Sequence, residues 1–377
     1  MTWEDLIMAK TVKKITILGG GNGGFAAAAD LVLRGYEVTL YEDPKFAASI
    51  AGIRDTGVIN LEGVGPVGAA KLKKVTTDLA EALEDTDLVM PISPAFAQEA
   101  VAKSLVPHVR EGMIIFLVPG SCGGGLVYGK VFHDAGVFQK VKICEVNTLP
   151  YAARKVNENT VKILMRDPVI WFAAFPAKYN EELLALVKPL FDSITPMKDV
   201  LECALNNGNI DSHPAPVVLN AGKIEYYHKH FHYKEGITPS VAKVVWKVNE
   251  ERMALCEALG YEKINILDRL YITGYCPKSD DLYKAYQGSI GIFMDIEGPN
   301  DLSGRYLTED APCSLVFCAN LGKALGVKTP IMDSIANLAS ALRSEDYWVT
   351  GRTLDKVGLD GMTGEQMKQF VMEGYKD

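Results

Sequence analysis

Residues 15–24 read ITILGGGNGG, and the chain continues FAAAADLVLRGYEVTLYED. A β-branched run ends in Gly19-x-Gly21-x-x-Gly24, and an alanine-rich helical segment follows at once. Each glycine has its own physical task. Gly19 lets the strand turn sharply, Gly21 lets a pyrophosphate approach bare backbone, and Gly24 lets the helix pack closely on the strand. Asn22 and Gly23 stand at the helix start, where free N–H groups meet a diphosphate. The next strand ends at Glu42-Asp43, and Glu42 lies eighteen residues past Gly24. That is close to the roughly 20 expected of the acid that bonds the adenosine ribose hydroxyls. An acid there repels a 2′-phosphate, so NAD(H) is expected and NADP(H) is less favoured. A glycine turn in some other α/β fold is the alternative. The strand before the motif, the helix after it and the acid beyond weigh against that.

Alternation of strand and helix continues from Lys13. Strands are expected at 14–19, 37–42, 87–92, 113–118 and 141–147, and helices at 23–34, 44–52, 95–106 and 123–135. The pattern predicts a mostly parallel, doubly wound sheet with helices on both faces. The Gly- and Val-rich stretch 57–75 reads as a hairpin insertion. Ser93-Pro94 and Pro119-Gly120-Ser121 follow strands, and ligands bind beyond the carboxyl ends of such strands. Pro94 is therefore expected to face the cofactor. Strands are also expected at 160–165 and 169–175 and a helix at 181–191, after which the strand signal nearly vanishes. Helical patterns at 214–227, 239–259, 280–286, 312–325 and 329–342 predict an all-α second half. The expected division is 1–197, a Rossmann-type NAD(P)-binding domain, and 198–377, a helical substrate and catalytic domain. Residues 1–12 read as an extra segment or frayed helix.

Composition narrows the partners. With a formal charge of −8 and no long basic block, the 377-residue chain is not expected to bind nucleic acid. No run reaches the roughly 20 apolar residues of a membrane span, and the start MTWEDLIMAK lacks a basic signal-peptide region. Seven dispersed cysteines with no C-x-x-C pair fit a reduced, cytoplasmic protein.

Acid–base groups must come from the second half. Asn206 to Pro214 is its densest polar cluster, and His213 there is a candidate general acid/base, its intrinsic pKa lying near neutrality. In Gly304 to Pro312, Arg305 can hold a carboxylate bidentately, and Asp310 can orient an imidazole. The alternative is that Thr308 to Asp310 merely begin a helix. His228-x-His230-x-His232 lacks the spacing of one helical face, so no metal is expected and a solvated loop is preferred. Glu145 and Asn147, at the end of a strand, are expected to point into the interdomain cleft.

Together GxGNGG, ExNTLPYAAR (145–154), NxNxxxHP (207–214) and RYLTEDxP (305–312) resemble the opine dehydrogenases, the octopine/nopaline dehydrogenase family. The resemblance runs from about Lys13 to the helices near residue 350. It implies NADH-dependent reductive condensation of an α-keto acid, most often pyruvate, with the amine of an L-amino acid, and the reverse oxidation. His213 and Asp310 would be the catalytic dyad and Arg305 would bind the keto-acid carboxylate. Glu145 and Asn209 would lie in the substrate region, and Gly19, Gly21, Asn22, Gly23, Gly24, Glu42 and Pro94 would hold the cofactor. A homodimer is left open. Many relatives carry Cys in a PYACR segment where this chain has Ala152-Ala153, which puts the identity of the amine in doubt. A ketopantoate-type or hydroxy-acid reductase of the same architecture and a non-catalytic NAD(H) sensor are the competing readings.

Overall fold

A computed structural model describes residues 11–289 and 291–376. The segment expected before residue 12 lies outside these but for residues 11 and 12. Among the described residues twelve strands form: β1 Lys14–Leu18, β2 Glu37–Tyr41, β3 Val58–Gly63, β4 Gly68–Lys71, β5 Lys74–Thr76, β6 Leu88–Pro91, β7 Met113–Leu117, β8 Val141–Val146, β9 Tyr151–Lys155, β10 Thr160–Arg166, β11 Ile170–Phe175 and β12 Ile194–Pro196. Eight make one sheet in the order β12-β11-β8-β7-β6-β1-β2-β5. All neighbours in it are parallel except β8 and β11. The winding direction reverses at β1, between β2 and β6, so a crevice opens at the carboxyl ends of β1 and β6.

The Gly/Val-rich insertion forms the hairpin β3–β4, but its end departs from expectation. Lys74–Thr76 pairs with β2 and becomes the edge of the large sheet. The hairpin instead joins β10 and β9 in a second sheet, ordered β4-β3-β10-β9. Helix α1 (Asn22–Leu33) is held between the two sheets, which explains its composition. Ala26, Ala27, Ala28 and Ala29 are all buried, packed with Ile15, Ile17 and Val38 of one sheet and Ile59, Ala153 and Val161 of the other. A helix covered on both sides tolerates only small side chains at close range.

The expected helix at 44–52 is a 3₁₀ turn, Pro44–Ile50, running into Ala51–Arg54. The expected helix at 214–227 breaks at Asn220, whose side-chain amide donates to the Pro216 and Gly236 carbonyls. Past Pro196, among the described residues, the only β pairing is the isolated bridge Phe231–Glu297. The longest helix there, α2 (Pro239–Leu259), is capped by Thr238 at its start and closed by left-handed Gly260.

The helical half packs on one face of the sheet in a continuous core that includes Val89, Phe132, Val200, Val245 and Phe317. Polar clasps add to this. Arg352 donates to the Cys122 and Ala95 carbonyls and to Gln98, and the Ala95 N–H donates to Glu309 at 2.7 Å.

Asp30, fully buried on α1, accepts from the Tyr151 hydroxyl at 2.7 Å and pairs with Arg166 of β10. Asp30→Ala leaves the tyrosine hydroxyl without its partner. The expected loss is about 2–3 kcal/mol, read from urea unfolding; an unchanged midpoint would show that this pair does not hold the small sheet on α1.

Candidate active site

The glycine loop has the shape its sequence predicts. Gly19 sits at φ +122°, and a Cβ there would lie 2.4 Å from the Ile92 carbonyl. A Cβ on Gly24 would come within 1.8 Å of the Gly19 carbonyl oxygen, so only glycine lets α1 lie this close to β1. Gly21 faces open space. It begins α1 without a side-chain cap, which leaves first-turn N–H groups for a ligand. Gly23 is backed by Ile92 and Leu149.

Glu42 closes the loop from β2. Its Oε2 accepts from Gly20 N–H at 2.8 Å and from the Ser49 hydroxyl at 2.9 Å, and its Oε1 accepts from Asp43 N–H. A carboxylate has about four lone-pair sites, so one remains for a further donor such as a ribose hydroxyl. Asn22 is tied sideways, its Oδ1 accepting from Lys155 N–H at 2.9 Å. Pro94 is half-buried at the end of β6, directly before the Ala95 that binds Glu309. A cradle open at Gly21, with uncapped N–H groups and an acid beside it, fits a dinucleotide.

Beyond the carboxyl ends of the strands lies the second cluster. The short helix Asn209–Ser212 ends at His213, and Pro214 starts the next helix, so the imidazole is carried by a break between two short helices. The buried His213 Nδ1 meets Asp310 Oδ2 at 2.8 Å, and its Nε2 meets the Tyr233 hydroxyl at 2.9 Å. A carboxylate only accepts, so Nδ1 carries a proton, and in the neutral imidazole Nε2 accepts from Tyr233. Tyr306 stacks on the imidazole, with ring centres 3.7 Å apart and planes 15° apart. The Asn209 amide donates to the other Asp310 oxygen at 3.3 Å. His213, Tyr233, Tyr306 and Asn209 line a cavity of about 190 Å³ between the two halves, which Asn147, Asp167, Trp171 and Tyr275 also line.

His213, Asp310 and Asn209 are thus brought together, although Asp310 is 97 residues from His213 in the chain. Arg305 is not among the cavity residues. It is largely exposed, one residue before Tyr306, with its Nε on Glu309. Glu145 departs further from expectation. It does not point into the cleft but is fully buried beneath Gly120–Gly125, its Oε2 accepting from Gly125 N–H at 2.5 Å. The β8 alternation turns this side chain inward to the helix that follows β7, so it does not touch the cavity. Asn147 does reach the interdomain seam: its amide donates to the Asn206 carbonyl, and its own carbonyl accepts from Asn207.

The histidine run is not a solvated loop throughout. His228 is exposed, but His230 and His232 are buried. The His232 Nε2 bonds the Ser212 carbonyl at 2.8 Å, and burial pushes its pKa down to about 3, so it is neutral beside His213. Among the described residues no three His, Cys, Asp or Glu side chains are placed to hold a metal ion. Tyr233 and Tyr306 were not singled out from the sequence. Tyr306 lies inside RYLTED, where it could have been noticed; nothing local marks Tyr233.

Residues 196–343 match the family described as NAD/NADP octopine/nopaline dehydrogenase, alpha-helical domain. The chain is 33% identical over 359 residues to an opine dehydrogenase of Arthrobacter sp. (strain 1C), covering 95% of this chain and 99% of that one. It is 24% identical to the octopine dehydrogenase of Pecten maximus, over 91% of this chain and 93% of that one. A solved structure of octopine dehydrogenase with NADH and pyruvate shares the fold. Its TM-score is 0.77 at 20% identity, covering 97% of this chain and 98% of that one.

Burial raises the Glu145 carboxyl to about 8, against about 4.3 for an unperturbed Glu. The folded state therefore holds a proton that the unfolded chain releases, and stability falls as pH rises through that interval. Urea midpoints measured from pH 5 to 9 are expected to decline more steeply for the wild type than for Glu145→Gln. Parallel pH profiles would mean that Glu145 is ionised in the fold.

Proposed function

This chain belongs to the opine dehydrogenase family, NAD(P)-dependent oxidoreductases acting on CH–NH groups, and from that premise we propose that it condenses an α-keto acid, pyruvate first among them, with the amine of an amino acid and reduces the product. The observation that carries the reading is the buried Asp310–His213–Tyr233 chain facing a cavity at the crevice of a dinucleotide fold. Bound at the glycine loop, NADH supplies the hydride. Gly21, the first turn of α1 and Glu42 would hold it, and the acid at Glu42 favours NADH over NADPH.

The side chains do the rest. The free amine adds to the keto carbon, a C–N bond forms and water leaves, giving an imine. Nε2 of His213 delivers or removes the proton at the carbonyl oxygen and the imine nitrogen, with the Tyr233 hydroxyl as its resting partner. Asp310 holds the imidazole in one tautomer and stabilises its cation. Tyr306 fixes the ring plane by stacking. Arg305, whose Nε pairs with Glu309 and which directly precedes Tyr306, is the residue we assign to the keto-acid carboxylate. Asn209 positions Asp310, and closure over the cavity protects the imine from water. Glu145 is left out of the substrate contacts.

We place the working division at 1–197 for cofactor and 198–377 for substrate. No described helix is long and apolar enough to cross a membrane. All seven cysteines are buried and free, which supports a cytoplasmic setting.

The test is NADH consumption with pyruvate and a panel of amines. Consumption that needs both partners is expected. Consumption with keto acid alone would instead indicate a hydroxy-acid dehydrogenase, and none with any pair would overturn the proposal. His213→Ala is expected to lower kcat by about 10²–10⁴ with NADH still binding, followed by fluorescence titration. Full activity in that variant would remove His213 from the chemistry.

A further inference from the structure

We propose that Arg269 is a specificity-determining residue of this site, its Nη1 holding the α-carboxylate of the amino-acid partner. The inference rests on the preceding reading and adds to it a carboxylate anchor separate from Arg305.

The observation behind it is an unbalanced buried charge. Arg252, Arg269 and Asp211 form one cluster, and they are 0%, 3% and 0% exposed. Asp211 bonds Arg269 Nη2 at 2.5 Å and lies 3.5 Å from Arg252 Nε. Among the described residues it is the one carboxylate with which either guanidinium pairs. Arg252 directs its other nitrogens to neutral oxygens, the Leu205 and Ile264 carbonyls and the Asn249 amide. Arg269 differs. Its buried Nη1 has no hydrogen-bond partner among the described residues, and Arg269 lines the His213 cavity. Two cations thus share one anion, and the member with an unused donor stands at the cavity wall.

The fold ties this group to the reacting end. Arg269 stands on the helix Ile266–Ile272, which Asn265 caps. Asp211 lies two residues before His213, so the ion pair joins the guanidinium to the segment that carries the imidazole. A Cβ on Gly208 would lie 3.6 Å from Arg269 Nε, so the chain beside Asn209 passes close to the guanidinium. Asp167 is the one carboxyl among the described lining residues. It accepts from the Tyr275 hydroxyl at 2.8 Å, and burial pushes its pKa up to about 7, so it is only partly ionised near neutral pH.

A buried guanidinium with an unmet donor is unfavourable unless a ligand supplies the opposite charge. A carboxylate supplies it through charge-assisted hydrogen bonds. In an α-amino acid the carboxylate and the amine share one carbon, so holding the first places the second for attack and proton transfer beside His213.

The experiment compares kcat/KM for alanine, methionine, phenylalanine and arginine, each against its own α-carboxamide, with pyruvate and NADH held saturating. In the wild type the acid is expected to exceed the carboxamide by about 100-fold. Equal use of both would overturn the inference and leave the condensation reading standing. Arg269→Met then leaves Arg252 and Asp211 as a balanced pair, and its folding is checked by fluorescence titration of NADH. Its KM for the amino acid is expected to rise about 100-fold with the pyruvate KM in place, and the preference for acid over carboxamide to disappear. Arg269→Lys, which keeps the buried charge balance, is expected to retain part of that preference and serves if the methionine variant does not fold. A rise in the pyruvate KM alone, or an acid preference unchanged in both variants, would overturn the assignment. Absence of turnover with any pair would overturn the parent reading and this one with it, a result distinct from either.

Discussion

The close approach of α1 to β1 is the constraint on which the rest of the molecule depends. Gly24 lies where any side chain would overlap the Gly19 carbonyl oxygen. That contact seats α1 low on the large sheet, and its alanines let the small sheet cover the other side. The same geometry leaves the first turn of α1 uncapped at Gly21, beside the crevice between β1 and β6. One packing requirement thus sets the helix, the second sheet and the dinucleotide cradle together. It also explains why Asn22 and Asp30 serve structure: both fasten the small sheet to α1, through Lys155 in one case and through Tyr151 and Arg166 in the other.

The catalytic end depends on a different kind of contact, between polar groups across the two halves. Glu309 accepts from Ala95 N–H just past Pro94, and its neighbour Asp310 turns toward His213. Asn147 and Asn207 interlock under the same floor, and Arg352 fastens the far end of the chain to the loops after β6 and β7. Buried polar groups of this kind are costly unless matched, so each clasp fixes relative position as well as adding stability. The dyad inherits its alignment from these fastenings.

Much of this was legible in the chain itself. The glycine loop, the alternation up to β8, the helical second half and the pairing of His213 with Asp310 were all readable, the last through motifs shared with a family. The misreadings have physical reasons. The hairpin at 58–71 is local and legible, but β3 pairs with the distant β10, Asn60 against Thr160, and no local pattern encodes which distant edge a strand will meet. Glu145 is expected to face the cleft because polar residues at strand ends usually do. The β8 register sends it inward, where a buried acid is tolerated by holding a proton and one backbone N–H. His232 is expected in a solvated loop because its spacing from His228 and His230 fits no single helical face, yet its neighbours in space are His213 and Tyr306.

The division follows from the range of the forces involved. Backbone preference, periodicity and the steric freedom of glycine act over a few residues, so the sequence alone specified the strand–turn–helix cradle, the class of each half and the residue types able to move a proton. Contacts between residues a hundred positions apart depend on how the halves are packed. Only the folded chain decided that Tyr233 completes the His213 relay, that Glu145 lies beneath the site, and that polar and aromatic side chains from both halves line one cavity.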